Sequence, residues 1–223
     1  MGIFNVTVPT EPTLTWARFF RQALGLAIVM MSSLGCYLLV LKWRGGAAHF
    51  RTHMAWDEWI PFEPAWVWAY LLPYLIGPVA LGLVRPATFR WYITRGLVIV
   101  ALSLLIFTVV PTQIDPRPSD HGLGTGLTAK VYEQMVAIDE PPANAAPSLH
   151  VSLTFLLGLA LYRDFPRWWP VILLAVVLVW MATLFTRQHH LLDVLTGVGL
   201  ACTVAMLWPR DRTPSSGGGK DNE

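Results

Sequence analysis

The chain has 223 residues, 54% of them hydrophobic and 13% charged, with a formal net charge of +2. A soluble domain of this length usually carries about twice that charged fraction, and so small a net charge with no basic stripe excludes nucleic acid as an expected partner. Cys36 and Cys202 both fall in apolar runs, which excludes a disulfide framework.

Residues 1–17 read as a short polar arm. No Asp, Glu, Lys or Arg occurs between Arg21 and Lys42, between Glu63 and Arg85, between Arg95 and Asp115, or between Arg167 and Arg187. Each gap is close to the ~20 residues a helix needs to cross the hydrocarbon core. They predict spans at 19–41, 65–84, 94–112 and 168–186. Two shorter runs, 149–163 and 190–208, read as spans whose first turns are polar. The expectation is an all-α integral membrane protein with six transmembrane helices, because only helices or closed barrels satisfy their backbone in lipid and these runs are too continuous for barrel strands. Ser33-Leu34-Gly35-Cys36 has the look of a lipoprotein cleavage box, but the apolar run continues through Leu38-Leu39-Val40-Leu41, so a retained span is expected.

Between the first two spans lies a loop rich in Gly, His and Trp. Trp56, Trp59, Trp66 and Trp68 cluster there as an interfacial belt does. Residues 1–209 are expected to form one membrane domain, and 210–223, rich in Ser, Gly and charge, a disordered tail. Six spans put both termini on one side. That side carries ten of the sixteen Lys and Arg, which predicts cytoplasmic termini. The connection from 113 to 147 is long for a compact domain. Leu127, Val131, Met135 and Ile138 recur in it at helical spacing, predicting an amphipathic helix at the membrane surface, either a packed lid or an element with its own chemistry.

The polar residues concentrate at two span mouths, where ionisable groups are costly and mark functional candidates. In Pro147-Ser148-Leu149-His150, Ser148 is a good N-cap for a helix starting at Leu149. A helix start offers free N–H groups and a positive dipole end, suited to a phosphate group that His150 would face. Taken alone, Ser148 also fits a simple cap and His150 a side chain reaching the interface. In His189-His190-Leu191-Leu192-Asp193, His189 and Asp193 are four apart and share a helix face, and a carboxylate beside a histidine sets its tautomer. His190 points about 100° away and reads as a bystander. No further ligand completes a metal site. Arg117, in Pro116-Arg117-Pro118, and Arg187 could each fork onto phosphate or anchor at headgroups. Asn144 could donate to the phosphate or simply make the turn beside Pro141-Pro142.

With these motifs the chain resembles the type-2 phosphatidic acid phosphatase superfamily, which also contains soluble vanadium haloperoxidases. Pro147–His150 matches its middle motif, His189 and Asp193 with Val194-Leu195-Thr196-Gly197 its last, and Arg117-Pro118 the end of its first. The resemblance covers about 90–205. There are departures. Position 110, where the family keeps a Lys, is Val, and Ala182-Thr183 stands where it keeps Ser-Arg. The stretches 183–189 and 144–150 look closer to inositol phosphorylceramide synthases, which transfer a phosphorylated head group between lipids.

The resemblance implies a lipid phosphate substrate in the bilayer and a phosphohistidine on His189, oriented by Asp193. His150 would protonate the leaving group and then activate the acceptor. Ser148, Arg117, Arg187 and Asn144 would hold the phosphate, with no metal or cofactor. The expected function is a membrane-embedded lipid-phosphate phosphatase. The alternatives are a lipid head-group phosphotransferase and, in a different class, a non-catalytic scaffold. A haem protein with His150 and His189 as axial ligands leaves Ser148, Arg187 and Asp193 unexplained.

Overall fold

In a computed structural model of the protein, residues 15–47, 50–114 and 126–207 are described. The expected polar arm up to residue 14, the segment bearing Arg117 and the expected tail lie outside the described residues. The described chain is nearly all α-helical. It departs from the all-α expectation in one small feature, a parallel pair of two-residue strands, β1 (Phe50–Arg51) and β2 (Thr112–Gln113). These strands join two loops at one end of the helices. Pairing gives their main-chain N–H and C=O groups partners that the loops would otherwise lack.

The helices are α1 (Trp16–Arg44), α2 (Val67–Tyr70), α3 (Leu72–Leu83), α4 (Pro86–Val109), α5 (Leu127–Ile138), α6 (Leu149–Asp164), α7 (Trp169–Phe185) and α8 (Leu191–Leu207). Thr15 caps α1, its Oγ1 accepting from the Arg18 N–H at 3.2 Å. The second expected span is broken at Leu71 because Pro73 has no N–H to continue the ladder. The third begins well before residue 94. Pro86 opens α4, and the helix carries Arg90 and Arg95 within it. Arg95 is buried, with its guanidinium 4.5 Å over the Trp91 ring, so a charge-free window cuts this helix short.

Among the described residues, four stretches are long and apolar enough to cross a bilayer: Trp16–Ala47, Pro64–Leu83, Pro86–Val109 and Pro166–Phe185. The fourth and sixth expected spans are helical but shorter, with 16 residues in α6 and 17 in α8. At about 1.5 Å per residue they reach about 24–26 Å, against a hydrocarbon core of about 30 Å. Several long apolar helices fit a multi-pass membrane protein.

α6 is the central helix, packed by α3, α4, α7 and α8. Its Leu156 and Ala160 join Trp91 and Ile99 of α4 and Ala201 and Val204 of α8 in the main apolar core. A second, smaller cluster of Val151, Leu184 and Val194 lies beneath the first turns of α6 and α8. At the far end of α6, the side chain of Asp164 is buried. It accepts from the Arg85 main chain at 2.6 Å and the Thr88 hydroxyl at 2.7 Å, and pairs with the Arg85 guanidinium at 2.8 Å. This clamp ties the start of α4 to α6 and sets the depth at which the first turn of α6 is presented at the opposite end.

Candidate active site

The two polar mouths meet. The N–H of Ser148 donates to the Asp193 carbonyl at 3.1 Å, and Ser152 Oγ lies 2.7 Å from the Ser148 carbonyl and 2.8 Å from that of Gly197. The first turns of α6 and α8 are therefore in main-chain contact. Gly197 permits this approach, since a Cβ there would stand 2.8 Å from the Ser148 carbonyl oxygen. Two helix N-termini, each a positive dipole end, thus converge.

On the α8 side, Asp193 is fully buried and serves two groups with Oδ2. The oxygen accepts from the His190 N–H at 2.8 Å and lies 3.4 Å from His189 Nδ1. His189 and Asp193 do not meet as neighbours on one helix face. α8 starts only at Leu191, and His189 sits in the preceding turn, its N–H held by the Thr183 carbonyl at 3.1 Å. His189 Nδ1 and Asp193 Oδ1 are buried with no hydrogen-bond partner among the described residues. With Nδ1 turned to the carboxylate, Nε2 is the nitrogen left for attack.

On the α6 side, Ser148 caps the helix as expected, its Oγ accepting from the Val151 N–H at 3.3 Å. His150 is buried, its ring stacked on Tyr70 at 4.1 Å and 8°, with Tyr74 Oη 3.3 Å from Nδ1. Its Nε2 is buried without a partner among the described residues, and the ring lies near His189. Asn144 is buried at φ 57°, and neither its Oδ1 nor its Nδ2 has a partner. Orphaned buried polar atoms cost about 1–3 kcal/mol each. Their concentration on Asn144, His150, His189 and Asp193 suits a polar ligand that supplies the missing partners.

Arg187 is held differently from the expected phosphate fork. Its Nη1 donates to the Asp57 carbonyl at 2.9 Å and its Nη2 to the Ile60 carbonyl at 2.6 Å. It also occupies a left-handed position, φ 54°, in the turn that ends α7. There the Gln188 N–H reaches the Thr183 carbonyl and the Arg187 N–H the Leu184 carbonyl, the paired bonds of a Schellman motif. Thr183, in the place of the family's Arg, is fully buried, whereas Val110, in the place of its Lys, is exposed.

Asp57, Thr52 and Tyr132 join the site without a motif, and His190, a bystander in the sequence reading, is built into it. Buried Asp57 accepts from the Met54 N–H and the Leu191 N–H, both at 2.8 Å, so the Trp-rich loop is pinned to the start of α8. His190 is buried, its Nδ1 2.9 Å from Thr52 Oγ1 and its ring 5.3 Å from that of His53. Tyr132 of α5 donates to the Thr186 carbonyl at 3.1 Å, and the Trp68 indole donates to Thr128 at 3.2 Å, placing α5 over the α7–α8 turn. The expected stripe does not make this contact. Tyr132 and Ala129 are the buried residues of α5, and Leu127 and Ile138 face outward. An acid in a loop, or a tyrosine off the apolar stripe of a helix, gives no sequence signal for such roles.

The PAP2 superfamily profile matches residues 37–207 of the chain, which spans α1 to α8. No curated protein and no solved structure gives a match.

Proposed function

Because the chain belongs to the PAP2 superfamily, a membership that supports phosphatase-type activity, we propose that it is a six-span membrane phosphatase of lipid phosphates working through His189. The convergence of two helix N-termini on His150, His189 and Asp193 is the observation that carries this reading. His189 Nε2 attacks phosphorus as the P–O bond to the leaving alcohol breaks. Asp193 stabilises the positive charge that then develops on the ring. His150 gives its proton to the leaving oxygen and later takes one from the acceptor. The Ser148 cap, the N–H groups of α6 and the side chain of Asn144 face the developing negative charge, joined by Arg117 and by the remaining N–H groups of Arg187. α6 and α8 complete six spans, with cytoplasmic termini and the site on the non-cytoplasmic face.

The test is a panel of lipid phosphates with purified protein in detergent, scoring free phosphate and lipid products together. Free phosphate is expected from wild type. His189→Ala should abolish both turnover and acid-labile phosphoenzyme while the protein remains folded, and undiminished turnover would sink the scheme. A second reading has one observation in its favour. Thr183 replaces the family's Arg and Arg187 is engaged by the Trp-rich loop, so the phosphate environment departs from that of the phosphatases. That reading is head-group transfer to a lipid or polyol hydroxyl, as in inositol phosphorylceramide synthases. The same panel detects it as labelled lipid product in place of free phosphate.

A further inference from the structure

His150 has no carboxylate among the partners its ring makes. Its contacts come from the broken helix α2–α3. Pro73 has no N–H, and the Tyr74 N–H reaches the Leu71 carbonyl at 3.1 Å instead of Tyr70, its partner in an unbroken helix. The Tyr70 main chain, which the Tyr74 N–H does not engage, lies against the imidazole of His150. Tyr70 and Tyr74, four residues apart across the break, bring their rings to the same imidazole, at centroid distances of 4.1 Å and 5.3 Å. The Tyr74 hydroxyl lies at the Nδ1 edge, and Nε2 is buried with no partner among the described residues.

We propose that Tyr70 and Tyr74 are the positioning residues of His150: they hold the plane of the ring and its Nδ1 edge, so that Nε2 faces the leaving oxygen. The resting proton then sits on Nδ1, on the side of the Tyr74 hydroxyl and the Tyr70 main chain. The neutral ring then carries its lone pair on Nε2, and the charged ring carries its transferable proton there. Asp193 does the same service for His189, so a tyrosine pair and a carboxylate would orient the two histidines from opposite sides. This inference rests on the proposed phosphoryl transfer. In that step His150, charged by a proton taken up from the bound phosphate monoanion, gives its Nε2–H proton to the leaving oxygen as the P–O bond breaks and the bond from phosphorus to His189 forms.

A proton donor matters for an alkyl alcohol leaving group and hardly at all for nitrophenolate, which departs as a stable anion. kcat/KM reports the steps up to the first irreversible one, here cleavage of the phosphate ester. Short-chain phosphatidic acid and p-nitrophenyl phosphate are therefore compared with wild type, Tyr74→Phe and Tyr70→Leu. Each variant is expected to lose about tenfold in kcat/KM on phosphatidic acid and to stay within about twofold on p-nitrophenyl phosphate. An equal loss on both substrates, the mark of a merely structural role, or no loss on either, overturns the proposal. Nitrogen NMR of isotope-labelled histidine, assigned by difference from His150→Gln, reads the tautomer without any substrate. A neutral ring protonated on Nδ1 is expected, and the opposite tautomer overturns the proposal. Persistent turnover in His189→Ala would instead count against the phosphohistidine reading and leave the tautomer result standing.

Discussion

Asp193 Oδ2 holds the His190 N–H at 2.8 Å and faces His189 Nδ1 at 3.4 Å. The first contact closes the start of α8, since an acid three residues into a helix accepts from the N–H of the residue before it. The second sets the histidine. Asp193→Asn separates them, because an amide oxygen still accepts from the His190 N–H but carries no charge to stabilise a phosphorylated imidazole. The expected result is an unchanged melting temperature with kcat/KM lower by at least about 100-fold. A variant within a few-fold of wild type would show that the carboxylate is only a cap. Arg187 shows how a departure from a motif acquires a structural reason. A left-handed residue at a helix C-terminus is usually Gly, and a side chain there costs about 1 kcal/mol or more. Its two hydrogen bonds to the carbonyls of Asp57 and Ile60 offset that cost and fasten the Trp-rich loop to the turn that bears His189.

At the level of elements, the site depends on how closely α6 and α8 approach. The Ser148–Asp193 main-chain bond and the Ser152 hydroxyl shared between the carbonyls of Ser148 and Gly197 hold the two first turns together. Gly197→Ala puts a methyl group 2.8 Å from the Ser148 oxygen and 3.2 Å from Ser152 Oγ. The nearer of these is backbone and cannot swing aside, so the helices must separate. Overpacking of this kind costs about 1–3 kcal/mol, and a shift of about 1 Å at a catalytic pair costs about 100-fold in rate. Both should be visible, as a lower melting temperature in detergent and a lower kcat. Gly199, on the same helix, has nothing within 4 Å of an added Cβ, so Gly199→Ala serves as the control with neither effect expected.

Across the whole molecule, exposed tryptophans mark two ends. Trp43, Trp56 and Trp59 lie at the end that holds the site, while Trp16, Trp168 and Trp169 lie at the other. Such belts sit at headgroup level on either side of a bilayer. Phe20, Leu24, Ile28 and Met31 of α1 lie exposed between them, as lipid-facing positions would. The distribution of Lys and Arg predicts which end faces outward. With Cys36 and Cys202 replaced by Ser, Trp56→Cys should react with a membrane-impermeant maleimide in intact cells. Arg167→Cys should react only after permeabilisation. The reverse pattern overturns the orientation and would place the phosphate chemistry on the cytoplasmic side.

The long apolar helices and the cap at Ser148 were legible in the sequence by itself, and His150, His189 and Asp193 stood out in it as candidates, because polar residues are rare and conspicuous among apolar runs and because N-cap chemistry is local. Helix limits were less legible where a charge is buried against an aromatic ring, as for Arg95 on Trp91, or where a proline divides a single apolar run, as Pro73 does. Only the tertiary structure decided that the two polar mouths abut, that Arg187 holds the loop through Asp57 and Ile60, and that Tyr70 and Tyr74 flank His150. Each of those contacts joins residues far apart in the chain. Close helix packing selects them, and neither hydropathy nor local propensity carries any trace of which distant partner a buried side chain will meet.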